Sequence, residues 1–161
     1  MKSIHTILLW AGMFTTSALN AQGHLDAALQ AYIEMKNALV TGDGKTASQQ
    51  AGTFLKALDA VPISKLSAQQ SKTWQQKLPT LKSHAKHIMD TQDVAHQRAM
   101  LNDLSVTFFE VLKVIKPAQQ KVYYQYCPMK KTYWLSEEAD IRNPYYGNQM
   151  LSCGKVVDTL E

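Results

Sequence analysis

Both cysteines of this 161-residue chain sit in its last third, each beside a methionine: Cys127 with Met129, and Cys153 with Met150. Thiolate and thioether sulfur together form a soft donor set, the kind that selects Cu(I) over harder divalent ions; silver and zinc match it less well. The same pair has a plainer use. In an oxidising compartment Cys127 and Cys153 would close a disulfide around a wide loop, worth roughly 3 kcal/mol. Methionines, for their part, commonly fill gaps in cores. The residues alone leave both readings open. They do exclude others: there is no Cys-x-x-Cys, no Cys-x-x-Cys-His and no second pair with zinc spacing, so thioredoxin-like redox, c-type haem and zinc-finger chemistry lack their ligands.

The histidines give a second set. His84 and His87 lie three apart and therefore neighbour each other on a helix surface. His96 and Met100 are four apart on the next predicted helix. An antiparallel turn near Asp90 and Thr91 would bring His87 and His96 level. The plainer account is a group of half-exposed helix histidines and a core methionine. No enzyme signature emerges. Glu137, Glu138 and Asp140 read as a solvated turn, and Ser136 has no base in its sequence neighbourhood. The segment Gly42 to Gly44 is no phosphate loop, and no nucleophile elbow exists.

The amino terminus reads as a secretory leader over residues 1–21: one charge at Lys2, an apolar stretch from Ile4 to Met13, then small residues up to Ala21. Cleavage is expected after Ala21, or alternatively after Ala18. The remaining segment, 22–161, reads as one exported domain with a sizeable core and no run apolar enough to anchor in a bilayer. The net charge is +4, and removing Lys2 leaves +3. Lysines alternate with acids along helical patterns instead of clustering, which argues against a nucleic-acid surface.

Four helical patterns must position these residues. The first carries Leu25, Ala28, Leu29, Tyr32, Met35 (or Lys36 as a stem) and Leu39 on one face and stops at Thr41-Gly-Asp-Gly44. Asp43 is placed to cap the second, with Ala47, Ala51, Phe54, Leu55 and Leu58 as its stripe, ended by Val61-Pro62. The third runs from about Ser67 to Met89 through Trp74, Leu78, Leu81, Ala85, Ile88 and Met89, with a kink or restart predicted at Pro79. The fourth carries Leu101, Leu104, Phe108, Val111, Leu112 and Ile115 and ends before Pro117. The fold class is thus mainly α: a four-helix up-down bundle capped by a short, irregular, tyrosine-rich tail. In that tail Lys121 to Tyr126 could form one strand, Asn143 to Gly147 reads as a turn fixed by Arg142 and Asn143, and Trp134 packs on the bundle.

The tail run Tyr126 to Met129, Tyr133 to Ser136, Ile141 to Gly147 and Met150 to Gly154 closely resembles the exported domains known as domain of unknown function 3347. These are typical of Bacteroidetes-like bacteria, and occur alone or fused to periplasmic adaptors of copper and silver efflux systems of the Cus type. Ala51, His87-Ile88, His96-Gln97-Arg98 and Leu104-Ser105 extend the similarity into the helices, although the tail motif is the more specific part. Family members often carry a second histidine where this chain has Met100, a change that would soften a ligand set and favour Cu(I) over zinc. The resemblance implies a periplasmic Cu(I)-binding protein that serves as buffer or accessory to efflux. Its ligands would be Cys127, Met129, Met150 and Cys153, with His87, His96 and Met100 in second place and Arg98 and Asn143 as supporting groups. Its partner would be an efflux adaptor or another periplasmic metal handler. The competing expectation is a structural or interaction module stapled by a Cys127–Cys153 disulfide, with no metal.

Overall fold

The computed structural model describes residues 21–117 and 121–161. The expected leader lies outside the described residues except for Ala21, the first residue of helix α1 (Ala21–Thr41). Gly42, in the left-handed conformation at φ +79°, ends α1 as a glycine C′ residue does. Asp43 then caps α2 (Gly44–Asp59) by accepting the Thr46 N–H at 3.0 Å. Helix α3 (Ala68–Met89) starts on a reciprocal capping box between Ser67 and Gln70. Asp93 caps α4 (Val94–Val114). The predicted stripes all turn inward: Leu25, Tyr32, Phe54, Trp74, Leu81, Leu104, Phe108 and Leu112 are buried. Successive helices pack as antiparallel neighbours, α1 on α2, α2 on α3 and α3 on α4. Of the kink or restart expected at Pro79, the restart does not occur: helix α3 continues through it, and because Pro79 and Gln75, whose carbonyl loses its partner, are both exposed, water can serve that carbonyl.

The tail is more regular than the sequence indicated. Strands β1 (Val122–Cys127), β2 (Thr132–Ser136) and β3 (Lys155–Leu160) form an antiparallel sheet in the order β2-β1-β3. The expected single strand is β1, and it pairs on both sides. The turn at 128–131 joins β1 to β2, with Lys131 in the left-handed region at φ 56°. The third strand arrives from 28 residues further on in the chain, counting from Cys127 to Lys155, so no local pattern announces it. Between β2 and β3, Asn143 to Gly147 forms the predicted turn and leads into a short 3₁₀ segment, Gly147–Gln149.

The sheet docks on the bundle mainly through β2, which lies on α4 and also touches α1. Buried Tyr32 on α1 is the junction. Its hydroxyl lies 2.6 Å from Ser105 Oγ on α4 and accepts the Leu135 N–H of β2 at 3.1 Å. Because Ser105 Oγ donates to the Leu101 carbonyl at 2.5 Å, the Tyr32 proton goes to Ser105. Burial holds the Tyr32 pKa up at about 12, so the group stays neutral. Below it, the rings of Tyr32, Phe54 and Phe108 meet with centroids 5.0–6.5 Å apart, joining three helices.

Lys36, one residue past that face, is buried under the tail with its Nζ on Asn37 Oδ1 at 2.6 Å. Burial, followed by repulsion from Arg142, pushes its pKa down to about 8 against attraction from Glu137, Glu138 and Glu34. The unfolded chain keeps this proton up to the ordinary lysine value of 10.5. Stability should therefore rise with pH between these two values, and Lys36→Met should remove that part of the slope in urea titrations. Leu104→Ala or Phe108→Ala, each opening a cavity in the core, should cost about 2–5 kcal/mol in the same assay.

Candidate functional site

The site's centre is a pair of sulfurs at one edge of the sheet. Cys127 ends β1 and is fully buried, and half-buried Cys153 precedes β3, the strand beside it. Their Sγ atoms are 3.5 Å apart, and both cysteines are free thiols. Three neighbours shape the pair. The N–H groups of Met129 and Lys130 in the 128–131 turn point toward Cys127, and the Asn143 side chain adds a further hydrogen bond. Burial pushes the Cys127 thiol up, but hydrogen bonds from Lys130, Cys153, Asn143 and Met129 together hold it below the ordinary thiol range. Cys153 moves the other way: its hydrogen bond to Cys127, then burial and the neighbouring charge, raise it. The arrangement eases ionisation of Cys127 and leaves the Cys153 thiol the later of the two to lose its proton.

The two methionines flank this pair on the surface. Met129, in the 128–131 turn, is 66 % exposed, and Met150 is 39 % exposed in a turn closed by the Cys153 N–H on the Met150 carbonyl. Neither fills a core gap. The second predicted set also assembles, but by itself. His87 and His96 face each other across the α3–α4 hairpin with ring centroids 6.2 Å apart, both solvent-exposed. Met100 is half-buried against the core. Among the described residues no group of three or more His, Cys, Asp and Glu side chains gathers. The candidate ligands therefore form two pairs, one of thiols and one of imidazoles.

Three buried amides, of which the sequence pointed only to Asn143 as a supporting group, hold the loops around these pairs. Gln97 Nε2 donates to the carbonyls of Gly44, Ile88 and Thr91, tying the starts of α2 and α4 to the end of α3. Its neighbour Arg98 donates from Nη2 to the Leu39 carbonyl near the end of α1 at 2.8 Å. Gly147 allows this approach. A Cβ there would lie 2.9 Å from Arg98 Nη2 and 2.7 Å from the Val40 carbonyl oxygen. Asn143 accepts the N–H groups of Tyr145 and Tyr146 and donates to the Cys153 carbonyl at 2.7 Å, so it fixes the turn and the cysteine together. Gln125 does the same for the carbonyls of 138–140. The motifs His96-Gln97-Arg98 and Asn143-Pro-Tyr-Tyr-Gly147 contain two of these amides, and a buried amide needs hydrogen-bond partners, which here are backbone groups.

The family model described as "Protein of unknown function (DUF3347)" matches residues 28–120. The chain belongs to this family. The matched segment covers most of α1 and all of α2, α3 and α4, including His87, His96, Gln97, Arg98 and Met100. Cys127, Met129, Met150 and Cys153 lie beyond it, so the DUF3347 assignment rests on the bundle and not on the tail motif that first carried the resemblance. Comparison with curated proteins and with solved structures returns no match.

The thiol pair makes its own prediction. Followed by thiolate absorbance near 240 nm, the reduced protein should lose its first thiol proton below the ordinary thiol range and its second above it. Asn143→Ala should shift the first step upward. Two overlapping ordinary titrations would show that the hydrogen bonds around Cys127 are not formed in solution.

Proposed function

We propose that this DUF3347 protein binds a soft metal ion, Cu(I) foremost, through Cys127 and Cys153. It buffers that ion outside the cytoplasm or passes it to a copper or silver efflux system, and it has no catalytic role. The observation that carries this reading is the pair of free thiols 3.5 Å apart, one of them favoured as thiolate. With metal–sulfur bonds of about 2.3 Å in a tetrahedral site, two sulfurs stand about 3.8 Å apart, so closing on a metal needs only a small side-chain shift. Met129 and Met150 would add thioether sulfur from the flanking turns, and their exposure keeps an incoming ion within reach. His87, His96 and Met100 would form a separate, second-rank set at the helical hairpin. The leader read over residues 1–21 supports the export that this role needs, with a periplasmic efflux adaptor as the natural recipient.

A second reading draws on the same separation. Closing 3.5 Å to the roughly 2 Å of a disulfide is also a modest motion. The protein would then be an interaction module, with exposed apolar side chains of the tail, such as Leu151, Val156 and Val157, available for docking.

Cu(I) titration of reduced protein under anaerobic conditions, with a competing chromophoric chelator, separates the two. Tight binding of one ion per reduced chain is expected, with little or none by the oxidised form, because a disulfide has no thiolate to offer. Cys127→Ser and Cys153→Ser should each abolish tight binding. Met129→Leu and Met150→Leu should weaken it by roughly tenfold, about 1.4 kcal/mol, and zinc should be held less well than Cu(I). Isolated protein without free thiols, inert to metal after reduction and less stable with either serine, would establish the disulfide module instead.

A further inference from the structure

A cavity of about 390 Å³ opens between α4 and the 128–131 turn, walled by Arg98, Asn102, Asp103, Lys130, Thr132 and Tyr145. Two cations and one carboxylate line it, and the carboxylate is already engaged: Asp103 accepts from Asn102 Nδ2 at 2.9 Å. Neither Arg98 nor Lys130 forms an ion pair with any described residue. Arg98 directs Nη2 to the Leu39 carbonyl, which leaves most of its five N–H donors without an acceptor in the fold. Within the wall, Arg98 Nε is buried with no hydrogen-bond partner. Uncompensated donors around a space of this size have a natural complement. A planar guanidinium engages carboxylate or phosphate through paired hydrogen bonds, while an ammonium adds a movable point charge.

We infer that this cavity is a binding site for a small oxyanion, a carboxylate or a phosphate, held between Arg98 and Lys130. Two cations without an ion-pair partner against the single Asp103 carboxylate leave the wall one positive charge in excess, which an oxyanion would offset. The rim fits a ligand of that size, since exposed Ala95 and Ala99 put only methyl groups at the helix side of the opening. Burial also lowers the Arg98 pKa, the behaviour of a cation with no anion beside it. The site stands apart from the thiol pair: the two share the 128–131 turn, but no ligand.

Titration of isotopically labelled, reduced and metal-free protein tests it, with succinate and inorganic phosphate added separately and sodium chloride at matched ionic strength as control. Saturable shifts of the Arg98, Asn102, Lys130 and Thr132 amides are expected with at least one anion and not with chloride. The anion that saturates identifies the source. Lys130→Gln, on the exposed turn where folding does not depend on it, should weaken binding about tenfold. Arg98→Lys should weaken it further, because a point charge cannot reproduce the planar fork. The inference is overturned if neither anion saturates at concentrations up to tens of millimolar, or if Lys130→Gln binds as wild type does.

Discussion

One buried hydroxyl joins the two halves of this protein deep in its interior. Tyr32 brings a ring that α1 must bury and an oxygen that burial obliges to find partners. Ser105 on α4 takes its proton, and Leu135 on β2 donates to it. A helix bundle and a sheet thus share one hydrogen-bonded node beside an aromatic core. Removing that oxygen would leave the Leu135 N–H unpaired in the interior, at a cost of about 1–3 kcal/mol. It would leave β2 tied to α4 through the Tyr133 N–H on Asn102 Oδ1, and would loosen the strand whose pairing sets the register of β1, which ends at Cys127.

From that node the sulfur pair is built by backbone geometry. Pairing of β1 with β3 puts Tyr126 opposite Lys155, which brings Cys127 and Cys153 to one end of adjacent strands. The 128–131 turn then delivers N–H groups to the Cys127 sulfur, and Asn143 anchors the opposite side through the Cys153 carbonyl. A thiol in so buried a place would ordinarily titrate high. Here directed donors outweigh desolvation, and the same neighbourhood serves metal capture or disulfide closure, according to redox state.

The family match gives the bundle and the tail different standing. DUF3347 membership is carried by residues 28–120, the scaffold with its Gln97 and Arg98 clamps. Those clamps explain why a His-Gln-Arg step sits in the first turns of α4. Gln97 satisfies three carbonyls where three helices meet, and Arg98 reaches the end of a fourth. In the metal reading, therefore, Gln97 and Arg98 serve the fold, and the chemistry belongs to the tail.

Helix positions, caps and inward faces were legible in the sequence because each depends on contacts within a few residues. A 3.6-residue period marks a buried stripe, and Asp43, the cap read from the sequence, caps the turn directly after it. The level placement of His87 and His96 came from the same local rules, being set by one short hairpin. The continuity of α3 through Pro79 was not legible, because it depends on which side of the helix meets water. Nor was the sheet: β3 has an unremarkable composition, and only pairing with a strand that ends 28 residues earlier in the chain makes it one. The choice between one composite site and two separate pairs was likewise left to the tertiary structure. Sequence shows which donors exist, but their distances depend on how a non-local sheet docks on a bundle, and that docking rests on Tyr32, Ser105 and Leu135, which lie up to 103 residues apart.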